Sequence, residues 1–187
     1  TNNNSVGMNS MAASTTGSNN VAMGVGALGS NTTASNNTAL GHNALLSNTV
    51  GDRNTAVGVA ALDNNVAGSR LVSVGYAALS NLTHASSTNN YSVAVGYEAG
   101  RLVTTGLYNT LLGGQTGYDL TTGANNVAVG YAALYDATTS SSNTAVGYFA
   151  ALNTTTGASN VAVGANALQA NTTGTENVAV GASSLDA

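Results

Sequence analysis

Hydrophobic and polar positions along this chain follow one short repeat from end to end. The segment NNVAVGYAAL, residues 125–134, returns as NNTALGHNAL, RNTAVGVAAL, SNTAVGYFAAL and SNVAVGANAL. Each copy has an anchor glycine, which recurs at every seventeenth position except for one longer interval between Gly75 and Gly96. The anchors are Gly7, Gly24, Gly41, Gly58, Gly75, Gly96, Gly113, Gly130, Gly147, Gly164 and Gly181. Residues 1–187 are therefore predicted to form a single array of eleven units, with a four-residue insertion between Leu79 and Ser92.

The residues before each anchor alternate between two types. The residue directly before the glycine is apolar in every unit, and the residue three before it is Val or Thr in all units but the first. A small residue lies between them, mostly alanine: Ala22, Ala39, Ala56, Ala94, Ala128, Ala145, Ala162 and Ala179. This period of two predicts a short β-strand that is buried on both faces, because neither face carries charge. The glycine is expected to end the strand, through a positive φ or a close backbone contact.

The remainder of each unit predicts a second, shorter strand with one buried leucine, followed by a polar turn that repeats as TTG. An asparagine precedes the first strand in most units, including Asn20, Asn37, Asn54, Asn126, Asn143 and Asn160. Stacked asparagine side chains can bond to their equivalents one coil away, which favours a ladder of coils. At roughly 4.8 Å per coil, eleven coils would form a rod on the order of 50 Å long.

The predicted fold is all-β: a parallel β-roll or β-solenoid of eleven coils. A coil as short as this repeat encloses little space, so we expect its interior to hold the Val and Leu side chains but not the alanines as well. The alanine face is then predicted to be a subunit interface. Three chains around one axis would bury it, as an intertwined or side-by-side homotrimer.

The NVAVG and NTAVG units resemble the left-handed parallel β-roll repeats of trimeric autotransporter adhesin heads of the YadA-like family. They also resemble repeat regions of bacteriophage tail-fibre proteins, in which strings such as NTAVGY followed by AL and TTG are common. The resemblance covers the whole chain, although those adhesin heads mostly use shorter units. It implies a homotrimer, a location outside the cell, at its surface or on a virion, and recognition of surfaces.

Composition excludes several other functions. Only 5% of residues are charged, against about a quarter in ordinary soluble proteins, and the net charge is −4. With three arginines and no lysine, nucleic-acid binding is not expected, and no apolar run is long enough to insert into a membrane. His42 and His84 stand alone and there is no cysteine, so no metal or other cofactor is predicted. Glu98 and Asp119 are the nearest candidates for catalytic carboxylates, but nothing positions them together, and no enzymatic activity is expected.

The aromatic residues suggest two places for ligand binding. Tyr76, Tyr97, Tyr131 and Tyr148 each follow an anchor glycine directly, so they could form an outward ladder that binds glycans. The alternative is that these rings pack on one another along the rod. Uncommon side chains also cluster near the insertion, where His84, Tyr91 and Arg101 are candidate ligand-binding residues. The alternative there is a tolerated bulge of the solenoid.

These features predict a structural and adhesive fibre segment that presents a surface- or glycan-recognition rod. One alternative is an extracellular filament formed by end-to-end stacking, since both ends of the sequence stop within the pattern. Another is an ice-binding single-chain solenoid, motivated by repeated adjacent threonines such as Thr138 and Thr139. Against it, adjacent residues of a strand point to opposite faces.

Overall fold

A computed structural model of the chain describes residues 2–186, so Thr1 and Ala187 of the predicted array lie outside the described residues. The described part is all-β and contains no helix. Its thirteen short strands are β1 Asn4–Val6, β2 Val21–Met23, β3 Thr38–Leu40, β4 Thr55–Val57, β5 Gly68–Ser69, β6 Val72–Val74, β7 Thr88–Asn89, β8 Val93–Val95, β9 Thr110–Leu112, β10 Val127–Val129, β11 Thr144–Val146, β12 Val161–Val163 and β13 Val178–Val180.

Eleven of these strands form one parallel sheet that runs the length of the rod, in the order β1-β2-β3-β4-β6-β8-β9-β10-β11-β12-β13. Each strand pairs with its counterpart one coil away, so that Ala128 lies opposite Ala145. The register survives the insertion, because Val72 of β6 still pairs with Val93 of β8. The extra residues contribute β7, which pairs with β5 in a separate two-stranded sheet. The prediction of a parallel β-solenoid is confirmed.

The alanine face lies inside the coil, and its prediction as a subunit interface is wrong. All eight alanines are at most 1% exposed within a single chain: Ala22, Ala39, Ala56, Ala94, Ala128, Ala145, Ala162 and Ala179. They join the leucines in one hydrophobic core. The reason is the size of the coil: only a small side chain on the strand leaves room for a leucine from the opposite side. The Val and Thr positions that were expected inside point outward instead.

The predicted second strand does not form, although its leucine is buried as expected in most coils. In a typical coil, Ala132 and Leu134 have φ of 52° and 53°, in the left-handed region. These residues turn the chain sharply, so the segment cannot be extended. Leu28, Leu45, Leu62, Leu79 and Leu134 are fully buried by these turns, whereas Leu185 is 57% exposed.

The anchor glycine meets both requirements that the sequence suggested. Gly130 has a φ of 132°, and a Cβ at this position would collide with the carbonyl oxygen of Gly147 in the next coil. The same arrangement recurs at Gly24, Gly41, Gly58, Gly147 and Gly164. The strand therefore ends where two coils approach too closely for any side chain.

The asparagines form a buried ladder inside the rod. The Asn126 side-chain oxygen accepts a hydrogen bond from the backbone N–H of Asn143, and the Asn143 oxygen accepts one from the N–H of Asn160. Their amide groups donate to turn carbonyls, as Asn143 does to Gly157 at 3.0 Å. Asn20, Asn37 and Asn54 make equivalent bonds. Each asparagine thus satisfies backbone groups that the narrow turns leave unpaired.

Candidate functional site

The predicted site residues occupy different corners of the coil and form no single site. Tyr76, Tyr97, Tyr131 and Tyr148 lie at the corner after the strand and are all about half exposed. Tyr76 stacks on Tyr97 with ring centroids 5.4 Å apart, and Tyr131 on Tyr148 at 5.8 Å. Gly114 occupies this column between the two pairs, so the ladder is interrupted. The rings both pack on one another and remain accessible.

His84 lies in the insertion, where it is buried and faces inward. Its Nε2 is 2.9 Å from the side-chain nitrogen of Asn90, which also donates to the Gly106 carbonyl. The Asn90 oxygen accepts a hydrogen bond from the N–H of Ser92. Asn90 therefore donates to His84, whose Nε2 must be the acceptor of a neutral ring. Burial lowers the pKa of His84, which favours the same neutral state.

Tyr91 is 51% exposed and stacks on Tyr108 in the next coil, with ring centroids 6.0 Å apart. The guanidinium of Arg70 lies 5.4 Å from the centre of the Tyr91 ring, in a cation–π contact. This surface is separate from the tyrosine column, because Tyr91 precedes the strand and the column follows it.

Arg101 belongs to a chain of polar side chains that crosses neighbouring coils. It forms an ion pair with Glu98 at 2.6 Å and donates to the Tyr118 hydroxyl at 3.0 Å. Glu98 also accepts a hydrogen bond from Gln115, at 3.3 Å. Gln115 in turn accepts one from the hydroxyl of Tyr131, at 2.9 Å. This network connects the insertion-proximal residues to the tyrosine column.

A surface groove lies where this network ends. The groove has a volume of about 380 Å³ and is lined by Gln115, Tyr131, Ala132, Tyr135, Asp136, Phe149 and Leu152; we call it the aromatic groove. Of these residues only Tyr131 is a candidate ligand-binding residue in the sequence analysis, as a member of the aromatic column. Tyr135 could have been found from its position one repeat after Tyr118, since the two rings stack at 5.1 Å.

The surroundings of the aromatic groove are negatively charged. The pKa of Asp119 is raised by burial and by the nearby carboxylate of Asp136. The pKa of the Tyr135 hydroxyl is also raised, by burial and then by Asp119. Arg101, the basic residue of the network, is already paired with Glu98. No salt bridge within residues 2–186 pairs the carboxylate of Asp119 or of Asp136 with a basic side chain.

A second accessible surface is formed by the first and third residues of each strand in the large sheet; we call it the outer strand face. All of these residues are at least partly exposed, while the residue between them is buried, or exposed only in β1. They are Val, Thr, Leu and Met apart from Asn4, and none is charged. The result is a continuous apolar strip along the rod, of the kind that marks interaction surfaces.

Threonine hydroxyls form a further ladder in the polar turns of the coils. The Thr121 hydroxyl donates to the carbonyl of Thr138, and the Thr138 hydroxyl donates to that of Thr155. The threonine that follows each of them is exposed, as at Thr122 and Thr139. The first threonine of each pair therefore bonds to the next coil, and the second is exposed to solvent.

Within residues 2–186, no group of three or more His, Asp or Glu side chains is arranged to hold a metal ion. No helix in this part of the chain could cross a membrane. No protein-family model, no characterised protein and no solved structure matches the chain.

Proposed function

We propose that this chain is a structural and adhesive segment of an extracellular fibre, on a cell surface or a virion, that assembles as a homotrimer through its outer strand face. The observation that carries the proposal is the continuous, uncharged strip of Val, Thr, Leu and Met side chains along the sheet. Val6, Met23, Val178 and Val180 are each more than half exposed in the single chain. Burial of this strip against other copies would remove apolar surface from water along the whole rod.

The shape of the strip bears on the number of copies. It is two side chains wide and, at about 4.8 Å per strand, roughly 50 Å long. A narrow, straight strip is covered well when several parallel rods meet around a shared axis, with one strip from each. The sequence resemblance to adhesin heads and tail fibres implies three copies. The alanine core supports a modular rod, because each chain fills its own interior before it associates.

The test is the native mass in solution, measured by light scattering or sedimentation. We expect about three times the chain mass of 18.2 kDa. The double variant Val129→Asp/Val146→Asp places two charges on the outer strand face and should give monomers that keep their β-sheet circular dichroism. The matched control Thr139→Asp/Thr156→Asp changes exposed turns of the same coils and should leave the mass unchanged. A monomeric wild-type protein would contradict the proposal.

A second candidate is ice binding by the single chain, favoured by the exposed threonines that recur in consecutive coils at Thr105, Thr122, Thr139, Thr156 and Thr173. Regularly spaced hydroxyls on a rigid rod could order water. The outer strand face offers fewer hydroxyls, since threonine occupies only four of its positions: Thr38, Thr55, Thr110 and Thr144. Thermal hysteresis of a monomeric protein would favour ice binding, and its absence in a trimer would favour the fibre.

A further inference from the structure

The aromatic groove owes its shape to a change in side-chain size at one position of the repeat, compared between consecutive coils. Ala132 occupies the column between Gln115 of the preceding coil and Phe149 of the following coil. A small residue between two large ones leaves a depression, and Tyr131 and Tyr135 of the same coil line it as well. The volume of about 380 Å³ lies within the range of ~300–1,000 Å³ that small-molecule sites occupy.

The walls of the groove are held in position by contacts of their own. The Tyr131 hydroxyl donates to Gln115 at 2.9 Å, and its ring lies 5.8 Å from that of Phe149 at an angle of 45°. On the other side, Tyr135 is stacked almost parallel on Tyr118. Side chains that are fixed before a ligand arrives lose less conformational entropy when it binds.

The groove combines flat apolar walls with a few polar atoms. Three aromatic rings and Leu152 provide apolar surface, while Asp136 and Gln115 provide a carboxylate and an amide. A pyranose ring has the matching character, because its C–H faces are apolar and its edge carries hydroxyl groups. We infer that the aromatic groove binds a neutral pyranose unit of a surface glycan, with C–H faces against the aromatic rings and hydroxyls at Asp136 and Gln115. This inference rests on the proposed function as a fibre that recognises surfaces.

The charge around the groove selects among sugars. Asp136 lines the groove, and Asp119 lies close enough for the charge of Asp136 to contribute to its raised pKa. Arg101, the basic member of the adjacent network, is occupied by Glu98. A sugar acid would bring a third carboxylate to this place without a cation to balance it. Neutral sugars should therefore bind and sugar acids should not.

The experiment titrates the assembled protein with methyl α-glucopyranoside, methyl β-galactopyranoside and methyl α-mannopyranoside, followed by saturation-transfer NMR. Sodium glucuronate and tetramethylammonium chloride serve as the anionic and cationic probes. We expect saturable binding of at least one neutral pyranoside and none of glucuronate. Tyr135→Leu should weaken binding at least about fivefold, since an aromatic wall is lost. Leucine is compatible with this column, because Leu152 occupies it one coil later.

The matched control is Tyr108→Asn, which removes a half-exposed, stacked tyrosine that precedes the strand and lies outside the tyrosine column. Asparagine occurs in that column at Asn125, and binding should be unchanged. A second groove variant, Asp136→Asn, removes the charge at similar size; it should keep neutral-sugar binding within a few-fold and reduce the rejection of glucuronate.

Three results would overturn the inference: no saturation by any of the pyranosides, binding that is unaffected by Tyr135→Leu, or saturation by tetramethylammonium alone. The last would identify an aromatic site for quaternary ammonium groups instead. Native mass is measured on the same samples. A trimer without sugar binding would therefore refute only the groove, and a monomer that binds sugar would refute only the assembly.

Discussion

The regular coils around Asn126–Asn160 and the irregular coils around Leu71–Gly117 reach the same backbone by different side chains. In a regular coil such as that of Gly130, Ala128 on the strand and Leu134 on the turn are both buried in the core. In the irregular coils Leu111 takes the strand position, and Gly100 and Gly117 take the turn positions. A Cβ on Gly100 would lie 2.7 Å from Leu111 Cδ1, and one on Gly117 would lie 3.0 Å from Leu111 Cδ2. The Leu111 side chain therefore occupies the space that the missing side chains of both turns would otherwise fill.

The polar interior shows the same kind of exchange. Leu71 and Ser92 interrupt the asparagine ladder, which would leave the Ser92 N–H and the Gly106 carbonyl without partners. Asn90, from the inserted segment, bonds to both. The Ser92 hydroxyl then accepts from the N–H of Asn109, where the ladder resumes. The coil thus requires a filled volume and satisfied backbone groups, and it does not require a particular residue to supply them.

We expect the greatest loss of stability at the anchor glycine, which both regions share. Gly130→Ala and Gly96→Ala should each destabilise the rod by more than about 4 kcal/mol, because a Cβ strains the backbone and collides with a carbonyl of the next coil. Urea unfolding with hydrogen exchange would measure both. Gly181→Ala is the matched control, since it has a similar φ of 124° and no close backbone neighbour. Equal losses at Gly130 and Gly181 would show that the collision contributes little.

The presence of Leu111 on the strand in place of the turn leucines predicts the next largest loss of stability. Leu111→Ala should cost about 2–5 kcal/mol, because it leaves a cavity that Gly100 and Gly117 cannot fill. The triple variant Leu111→Ala/Gly100→Leu/Gly117→Leu restores the regular pattern and should recover part of this loss. Most other coils carry leucine at that turn with φ near 50°, as at Leu28, so the backbone accepts it. A triple variant no more stable than Leu111→Ala would refute the exchange.

The buried amide of a regular coil and that of the insertion should contribute equally to stability. Asn126→Ala in a regular coil and Asn90→Ala in the insertion should each cost about 1–3 kcal/mol, since each leaves one N–H and one carbonyl without a bond. Amide exchange at Asn143 and at Ser92 would report the two losses locally. Asn153→Ala, on an outer turn where Ala170 occupies the same column, is a control that should change little. If Asn90→Ala behaved like this control, the insertion would have no part in the ladder.

The weakest effect we expect is the pH dependence that His84 gives to the irregular region. The pKa of His84 is lowered in the folded protein, so protonation favours the unfolded state. Its contribution to stability is present above the ordinary pKa of 6.5 and is lost as pH falls from there through the folded pKa. Protonation also puts a second donor opposite the Asn90 amide. In the wild-type protein, acidification should reduce the protection of the insertion's amides from hydrogen exchange. This reduction should be smaller in His84→Gln, while amides near Asn143 should respond equally in both proteins. An unchanged response of the variant would refute this role of His84.

The repeat, the β-solenoid, the number of coils, the anchor glycines and the positions of the asparagines could all be predicted from the amino-acid sequence. These follow from spacing and residue type, which recur in each unit and need no knowledge of the partners across the coil. The sequence also marked the residues from His84 to Arg101 as irregular, without indicating that they lie at separate corners.

Which face of the strand points inward could be read only from the folded coil. Period-two alternation defines two faces but does not orient them, and the deciding quantity is the space across so short a coil. That space admits alanine opposite leucine and turns the valines of the outer strand face toward solvent. The aromatic groove was equally hidden, because Gln115, Tyr135 and Phe149 meet there only after three coils are stacked in register. The spacing of the repeat in the sequence predicts that the coils stack. The left-handed turns at residues such as Leu134 determine where each side chain points.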